Sequence, residues 1–166
     1  AAAHGATVVP HRAPALEVRG ELPPPPVGVE AIKFGEFFRM PVGPYGLEPT
    51  EKLVAMNGRR VRLVGYMVRE ETPAPGRFLF SPLPVSLGDE DESLSDDLPP
   101  TTVFVHLPGG KERKSPYVPG LIHLTGTLEV GAADEPDGRV SSIRLLLDGA
   151  TAKRILGAKP LLRAAR

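Results

Sequence analysis

The chain has 166 residues, 41% of them hydrophobic, with 20 basic and 20 acidic residues and no cysteine. This length and apolar fraction suit one domain with chain to spare, and the balanced charge provides no overall field to attract a polyanion, which disfavours general nucleic-acid binding. The missing cysteine excludes disulfides, thiolate metal sites and a cysteine nucleophile.

Residues 1–29 contain the run Pro23-Pro24-Pro25-Pro26 and few large apolar side chains. This composition predicts an extended proline-rich arm, which serves either as a spacer or as a segment that lies along a partner. The alanine-rich start without methionine is what remains after signal-peptidase cleavage, although a trimmed domain would look the same. We therefore expect an exported, periplasmic or secreted protein. No stretch approaches the roughly 18 apolar residues of a membrane span.

Residues 30–149 are predicted to form the folded domain. Its first strand is expected within 31–42, where Ile32 and three phenylalanines lie around Gly35. A short helix is expected over 49–56, because acidic residues occupy its opening turn and Gly58 supplies a left-handed stop.

From residue 60 the pattern changes to a period of two, which is typical of strands. Gly65 and Gly126 each lie in the middle of such an alternation. Glycine weakens a flat strand, so these positions predict a sheet that bends or lets another backbone come close, as small closed barrels require. Further strands are expected at 78–80, which should pair with the first alternating strand as a hairpin, and at 102–107 and 140–147.

The sequence also resembles a known family. The resemblance rests on Leu53-x-x-x-Asn57-Gly58, the strand around Gly65, the Phe-Leu-Phe strand followed by prolines, and the strand around Gly126, and it covers about residues 53–148. These features resemble an uncharacterised family of exported bacterial proteins that are similar to oligonucleotide/oligosaccharide-binding (OB-fold) barrels. The resemblance implies a mainly β domain, a small antiparallel OB-like barrel of five to six strands with one short helix. Family members often carry cysteine after the Phe-Leu strand, whereas residues 82–88 here have none.

Histidine provides the candidate metal ligands. His106 and His123 lie on two predicted strands and would approach each other if those strands were neighbours in register. No histidine pair has the spacing of a known metal motif, and surface histidines seldom bind metal, so solvated side chains are the favoured interpretation.

Two charged segments flank or interrupt the domain. The predicted loop at 88–101 contains six carboxylates within residues 89–97 but lacks the glycine frame of a calcium loop, so it is interpreted as a solvated loop. The predicted tail at 150–166 carries five basic residues and no acidic one, with leucines that give it an apolar side. The tail is expected to cap the barrel or to dock on a partner.

No nucleophile elbow or phosphate-binding loop occurs, so an enzyme is not expected and no cofactor is implied. The predicted function is that of a non-catalytic binding or assembly subunit, part of a larger complex, that contacts protein partners through strand edges, loops and arms. Any membrane association would run through a partner. A metal or small-ligand carrier and a single-strand nucleic-acid binder remain the alternatives. The candidate partner-binding residues are Arg60, Arg62, Tyr66, Lys153, Arg154, Lys159 and Arg163.

Overall fold

Strands dominate the fold, as predicted. A computed structural model describes residues 8–88, 98–109 and 113–161. Within these ranges there are two α-helices, α1 (Glu51–Ala55) and α2 (Gly149–Leu156), and two single-turn 3₁₀ helices at Pro14–Leu16 and Phe34–Glu36. The strands are β1 (His11–Arg12), β2 (Glu30–Ala31), β3 (Arg60–Met67), β4 (Arg69–Glu70), β5 (Arg77–Ser81), β6 (Ser86–Leu87), β7 (Val103–His106), β8 (Leu121–Asp134), β9 (Val140–Leu147) and β10 (Lys159–Pro160).

The main sheet has six strands in the order β2-β3-β5-β7-β9-β8, and β3 also pairs with β8. Five strands, β3, β5, β7, β9 and β8, therefore form a closed ring of pairings. The predicted hairpin partners, β3 and β5, are antiparallel, with Tyr66 opposite Ser81.

The expectation of a wholly antiparallel sheet is wrong, because the sheet is mixed. Strands β7 and β9 are parallel, and so are β2 and β3. The reason lies in the chain path: β9 returns from β8 through a tight turn and then lies between β8 and β7. Alternation of apolar and polar residues reports which side chains are buried but not the direction of a neighbouring strand.

The inner face of the ring holds the core. On β3 the residues Val61, Leu63 and Met67 are buried while their neighbours are partly or fully exposed, which follows the predicted alternation. Strand β8 alternates in the same way around Ile122 and Leu124. These side chains meet the phenylalanines of β5 in one hydrophobic cluster.

Both glycines that the sequence singled out lie within strands of the ring. A Cβ on Gly65 would lie 2.6 Å from the ring of Phe34 and 2.8 Å from the carbonyl oxygen of Ser81. A Cβ on Gly126 would collide with the carbonyl oxygen of Leu146 on β9. Neighbouring backbone thus approaches to distances that exclude a side chain, which is the close approach predicted for these positions.

Strand β5 is buried on both faces. Phe78 and Phe80 enter the main core, whereas Leu79 belongs to a second cluster with Val68, Leu87 and Phe104. The chain after β5 supplies part of this second layer, because Leu98 packs against it from the described end of the predicted acidic loop. The carboxylates at 89–97 lie outside the described residues.

Part of the predicted N-terminal arm packs against the domain. Leu16 is 1% exposed within the main core, and His11 and Arg12 of β1 pair with β10. The Val18 N–H also donates to the carbonyl oxygen of Leu121 on β8. Residues 1–7, with His4, lie outside the described residues.

The first predicted strand, within 31–42, is wrong. Only Glu30–Ala31 forms a strand, and Phe34–Glu36 forms a 3₁₀ helix instead. Phe34 and Phe37 are both buried at a spacing of three residues, which is the repeat of a 3₁₀ turn and not of a strand. Burial of both aromatic rings therefore favours a 3₁₀ helix over a strand in this segment.

The predicted helix near residue 50 is confirmed as α1, with the Leu53 N–H donating to the side chain of Thr50 and Gly58 in a left-handed conformation (φ +80°). The second helix, α2, lies in the predicted basic tail and buries Ile155, so more than one short helix is present. None of the described helices has the length and apolar character of a membrane-spanning segment.

Candidate binding site

A groove of about 580 Å³ lies between the two terminal segments. One wall is formed by Arg12–Ala15, and the other by Arg154 and residues 157–161. The walls are apolar except for the cations Arg12, Arg154 and Lys159. Pairing of β1 with β10 holds the two walls together. We call this feature the terminal groove.

Most of the positive charge at the terminal groove is uncompensated. Arg154 and Lys159 are exposed and form no ion pair within the described ranges. Arg12 is different, because its Nε donates to Glu17 at 2.8 Å. Hydrogen bonds from Arg12 and Arg19 lower the pKa of Glu17 to about 2, so this carboxylate is ionised beside the groove and offsets part of the arginine charge.

His123 lies beside the groove on the outward face of β8. Partial burial lowers the pKa of its imidazole, a hydrogen bond to the backbone of Ala15 acts in the opposite direction, and the charges of Arg62 and Arg154 lower it further. Ala15 and Arg154 also line the terminal groove. His123 is not among the described residues that line the groove, but its neighbour Ala15 is.

The structure brings together some of the predicted partner-binding residues. Arg154 and Lys159 share the terminal groove, whereas Arg62 does not line it but, like Arg154, lowers the pKa of His123 through its charge. Lys153 is exposed on α2. Arg163 lies outside the described residues.

Arg60 and Tyr66 are placed differently. Arg60 forms an ion pair with Asp148 at the start of α2, so its charge is already compensated. Tyr66 is partly exposed at the end of β3, opposite Leu121. Neither residue lines the terminal groove.

The structure does not bring the two candidate metal ligands together. His106 is on β7 and His123 is on β8, and β9 lies between these strands. No group of three or more potential ligands suited to a metal ion occurs in the part of the chain described. Near His123 the arginine charges would also repel a cation.

A second candidate site is a buried ionic cluster at one end of β5. Arg77 is 4% exposed, and its guanidinium donates to Glu135 at 3.2 Å and to Asp137 at 2.6 Å. The Ser141 hydroxyl donates to Glu135 at 2.7 Å, and the His106 ring lies 3.2 Å from the same carboxylate. The guanidinium also stacks over Phe104, 5.0 Å from the ring centroid.

The cluster holds its carboxylates in the ionised form. Burial alone would raise the pKa of Glu135, but the hydrogen bond from Ser141, the charge of His106 and Arg77 together lower it. Hydrogen bonding to Arg77 lowers the pKa of Asp137. Ser141 bonds the carboxylate and not the imidazole, so the arrangement lacks the contact between hydroxyl and base that activates a nucleophile. Its geometry fits a structural network that fixes the turn between β8 and β9.

Glu70 adjoins this cluster and is different in character. It is 9% exposed, and its Oε2 has no hydrogen-bond partner among the described residues. Burial raises its pKa to about 7, against the opposing charges of Arg77 and Arg139.

Sequence reasoning missed the ionic cluster. The available signal was local: the dense charge of residues 134–139 falls in a tight turn, and Arg77 opens an otherwise apolar strand. Pairing of Arg77 with Glu135 joins positions 58 residues apart, which no local pattern reveals.

Comparison with known proteins identifies no functional relative. No protein-family model and no curated protein matches the chain. A crystal structure of a DUF3299 family protein from Pseudomonas aeruginosa PAO1 is similar with a TM-score of 0.44 and 13% sequence identity, covering 82% of this chain and 98% of that one. At this TM-score and identity, the likeness assigns neither a family, an activity nor a ligand to the chain.

Proposed function

We propose that this protein is a non-catalytic binding subunit, exported from the cell, whose terminal groove takes an extended acidic segment of a protein partner. The observation that carries the proposal is the pair of exposed cations Arg154 and Lys159, which have no ion-pair partner among the described residues, along an apolar groove of about 580 Å³. Apolar walls provide contact area, and cations at the rim select for negative charge.

The proposal also includes the architecture. The five-strand ring β3-β5-β7-β9-β8 supports an OB-type barrel, because each of these strands pairs with a neighbour on both sides. Glycines at the two closest backbone approaches support the same interpretation. In this arrangement the terminal segments pack against the barrel, with Leu16 and Ile155 joining its core, and they present the groove on their exposed side.

A protein segment is favoured over single-stranded nucleic acid as the occupant. Single-strand binding relies on aromatic rings that stack on bases along a basic surface. Among the described residues, no tryptophan, tyrosine or phenylalanine lines the terminal groove, whereas Leu161, proline and alanine side chains do. These aliphatic walls suit the side chains of a peptide.

The test is fluorescence anisotropy with two labelled probes at low salt: an acidic peptide of alternating glutamate and leucine, and an oligothymidylate. We expect the peptide to bind in preference to the oligothymidylate. Added salt should weaken peptide binding, because exposed charges are screened. In the double variant R154Q/K159Q, the dissociation constant should rise about tenfold, since two attractive contacts are lost.

The matched control is R39Q/R59Q, which also removes two exposed arginine charges but leaves the groove residues intact. The control should bind the peptide like the natural chain. Equal loss of affinity in both double variants, or tighter binding of the oligothymidylate, would contradict the proposal. Circular dichroism melting of each variant checks that the fold is retained.

A further inference from the structure

We propose that Arg62, His123 and Arg154 form an oxyanion subsite beside the terminal groove, which binds one carboxylate of the partner and takes up a proton as it does so. The inference rests on the proposed function, because it names the anchoring point of the same acidic partner.

The sheet register places two of the three residues together. Strands β3 and β8 are antiparallel, with Val64 opposite His123 and Arg62 opposite Thr125. Arg62 and His123 are therefore diagonal neighbours on the outward face, where long side chains of adjacent strands reach each other. The inward neighbours on both strands are buried in the core, so this face cannot turn inward without exposing them.

The terminal segments supply the third residue of the proposed subsite. Helix α2 supplies Arg154, and the 3₁₀ helix at Pro14–Leu16 supplies the backbone of Ala15. Both helices pack against β8, the strand that carries His123. Arg154 and Ala15 also line the terminal groove, so a ligand in the groove lies within reach of the subsite.

The charges around His123 are mainly positive. Arg62 on β3 and Arg154 on α2 both lower the pKa of its imidazole through their charge. The N-terminal segment brings the carboxylate of Glu17, whose backbone bridges to Ile122, but that carboxylate is paired with Arg12 and Arg19. Asp148, at the start of α2, is engaged with Arg60. Partial burial and the two guanidinium charges lower the pKa of His123, so these surroundings favour the neutral imidazole over the protonated form.

A bound oxyanion has the opposite effect on the pKa of His123. Its negative charge offsets both arginines and stabilises the protonated imidazole, so the pKa of His123 rises on binding. By linkage, the protein binds the anion most tightly at a pH below the pKa of His123 in the free protein. The affinity falls as the pH rises towards and through the pKa of His123 in the anion-bound protein. Positive surroundings favour an anion and oppose a metal ion at the same place.

The experiment follows the ring signals of His123 by two-dimensional NMR across a pH titration, with and without sulfate, while chloride holds the ionic strength constant. Sulfate stays doubly charged over the range used. The H123Q variant assigns the signal and keeps a side-chain donor for the Ala15 carbonyl. We expect sulfate to raise the pKa of His123 by about one unit, which corresponds to about tenfold tighter sulfate binding on the acidic side.

Two matched variants locate the effect. R62Q and R154Q should each reduce the sulfate-induced shift, whereas R59Q, an exposed arginine close by in sequence, should not. His106 serves as an internal control, because its partner is Glu135. An unchanged His123 titration in saturating sulfate, or an equal shift of His106, would overturn the subsite.

The same measurements separate this inference from the proposed function. If the acidic peptide binds in the terminal groove but H123Q leaves the pH dependence of binding unchanged, the subsite is wrong and the groove stands. If sulfate shifts His123 as expected and the peptide does not bind, the subsite stands and the proposed function falls.

Discussion

At the scale of single residues, Glu70 shows how burial changes chemistry. A glutamate side chain in water ordinarily titrates with a pKa of 4.5, and burial raises the pKa of Glu70 to about 7 because the charged form loses its hydration. Between about pH 4.5 and pH 7, the folded protein therefore keeps the Glu70 carboxyl protonated, whereas the unfolded chain has released this proton. The contribution of Glu70 to stability is present below about pH 4.5 and is lost as the pH rises through 7.

The E70Q variant tests this assignment, because glutamine keeps the shape and removes the titration. At pH 8 we expect E70Q to be more stable than the natural chain, by on the order of 2 kcal/mol, since the buried charge is gone. At pH 5 the two proteins should unfold alike. Urea unfolding at several pH values measures the difference, with E48Q, an exposed glutamate, as the control. A stability difference that does not change with pH would refute the assignment.

Gly126 makes a second prediction at this scale. Any Cβ at this position would meet the backbone of β9, which cannot move without breaking the pairing of β8 with β9. We expect G126A to lower the free energy of unfolding by about 2 kcal/mol or more, as other overpacked sites do.

The control for Gly126 is G35A. Gly35 is exposed, has a negative φ and has open space where a Cβ would be built. Its replacement should change stability by less than about 0.5 kcal/mol. Similar losses in the two variants, measured by chemical denaturation, would mean that the close approach at Gly126 does not matter.

At the scale of elements, the terminal segments show most clearly where local patterns mislead. The N-terminal segment has the composition of an arm, yet its 3₁₀ helix buries Leu16 against the sheet. A single well-placed apolar side chain is enough to dock a proline-rich segment, because burying a leucine contributes roughly 2 kcal/mol. Composition averages over the segment and hides that residue.

The L16A variant tests whether this docking contributes to the stability of the whole domain. Truncation of a fully buried leucine costs about 2–5 kcal/mol, so we expect a clear fall in the free energy of unfolding. V27A is the control, because Val27 belongs to the same predicted arm and is fully exposed. If the two variants unfold at the same denaturant concentration, residues 8–18 do not stabilise the domain.

At the scale of the whole molecule, the sequence predicted strand content better than strand arrangement. Alternation located β3, β8 and β9, and the glycines within the first two marked close backbone approaches. The parallel pairing of β7 with β9 was not predictable, because direction depends on where the chain returns and not on which faces are apolar.

The candidate site was predictable only in part. The basic residues of the C-terminal segment were visible as a cluster, and Arg154 and Lys159 do line one groove. Their proximity to Arg12 depends on β1 pairing with β10, which joins segments more than 140 residues apart. Their proximity to His123 depends on the packing of the N-terminal 3₁₀ helix and α2 against β8. Such long-range contacts leave no trace in a local window.

The ring of strands constrains how any partner is recognised. Many complexes form when a peptide adds as a strand to the open edge of a sheet and hydrogen-bonds to its main chain. Aggregation also starts at such open edges. In the described portion of the molecule, each of the five ring strands is already flanked on both sides. Docking by strand addition is thus blocked along the ring and is left to the short strands outside it, such as β2 and the pair β1–β10.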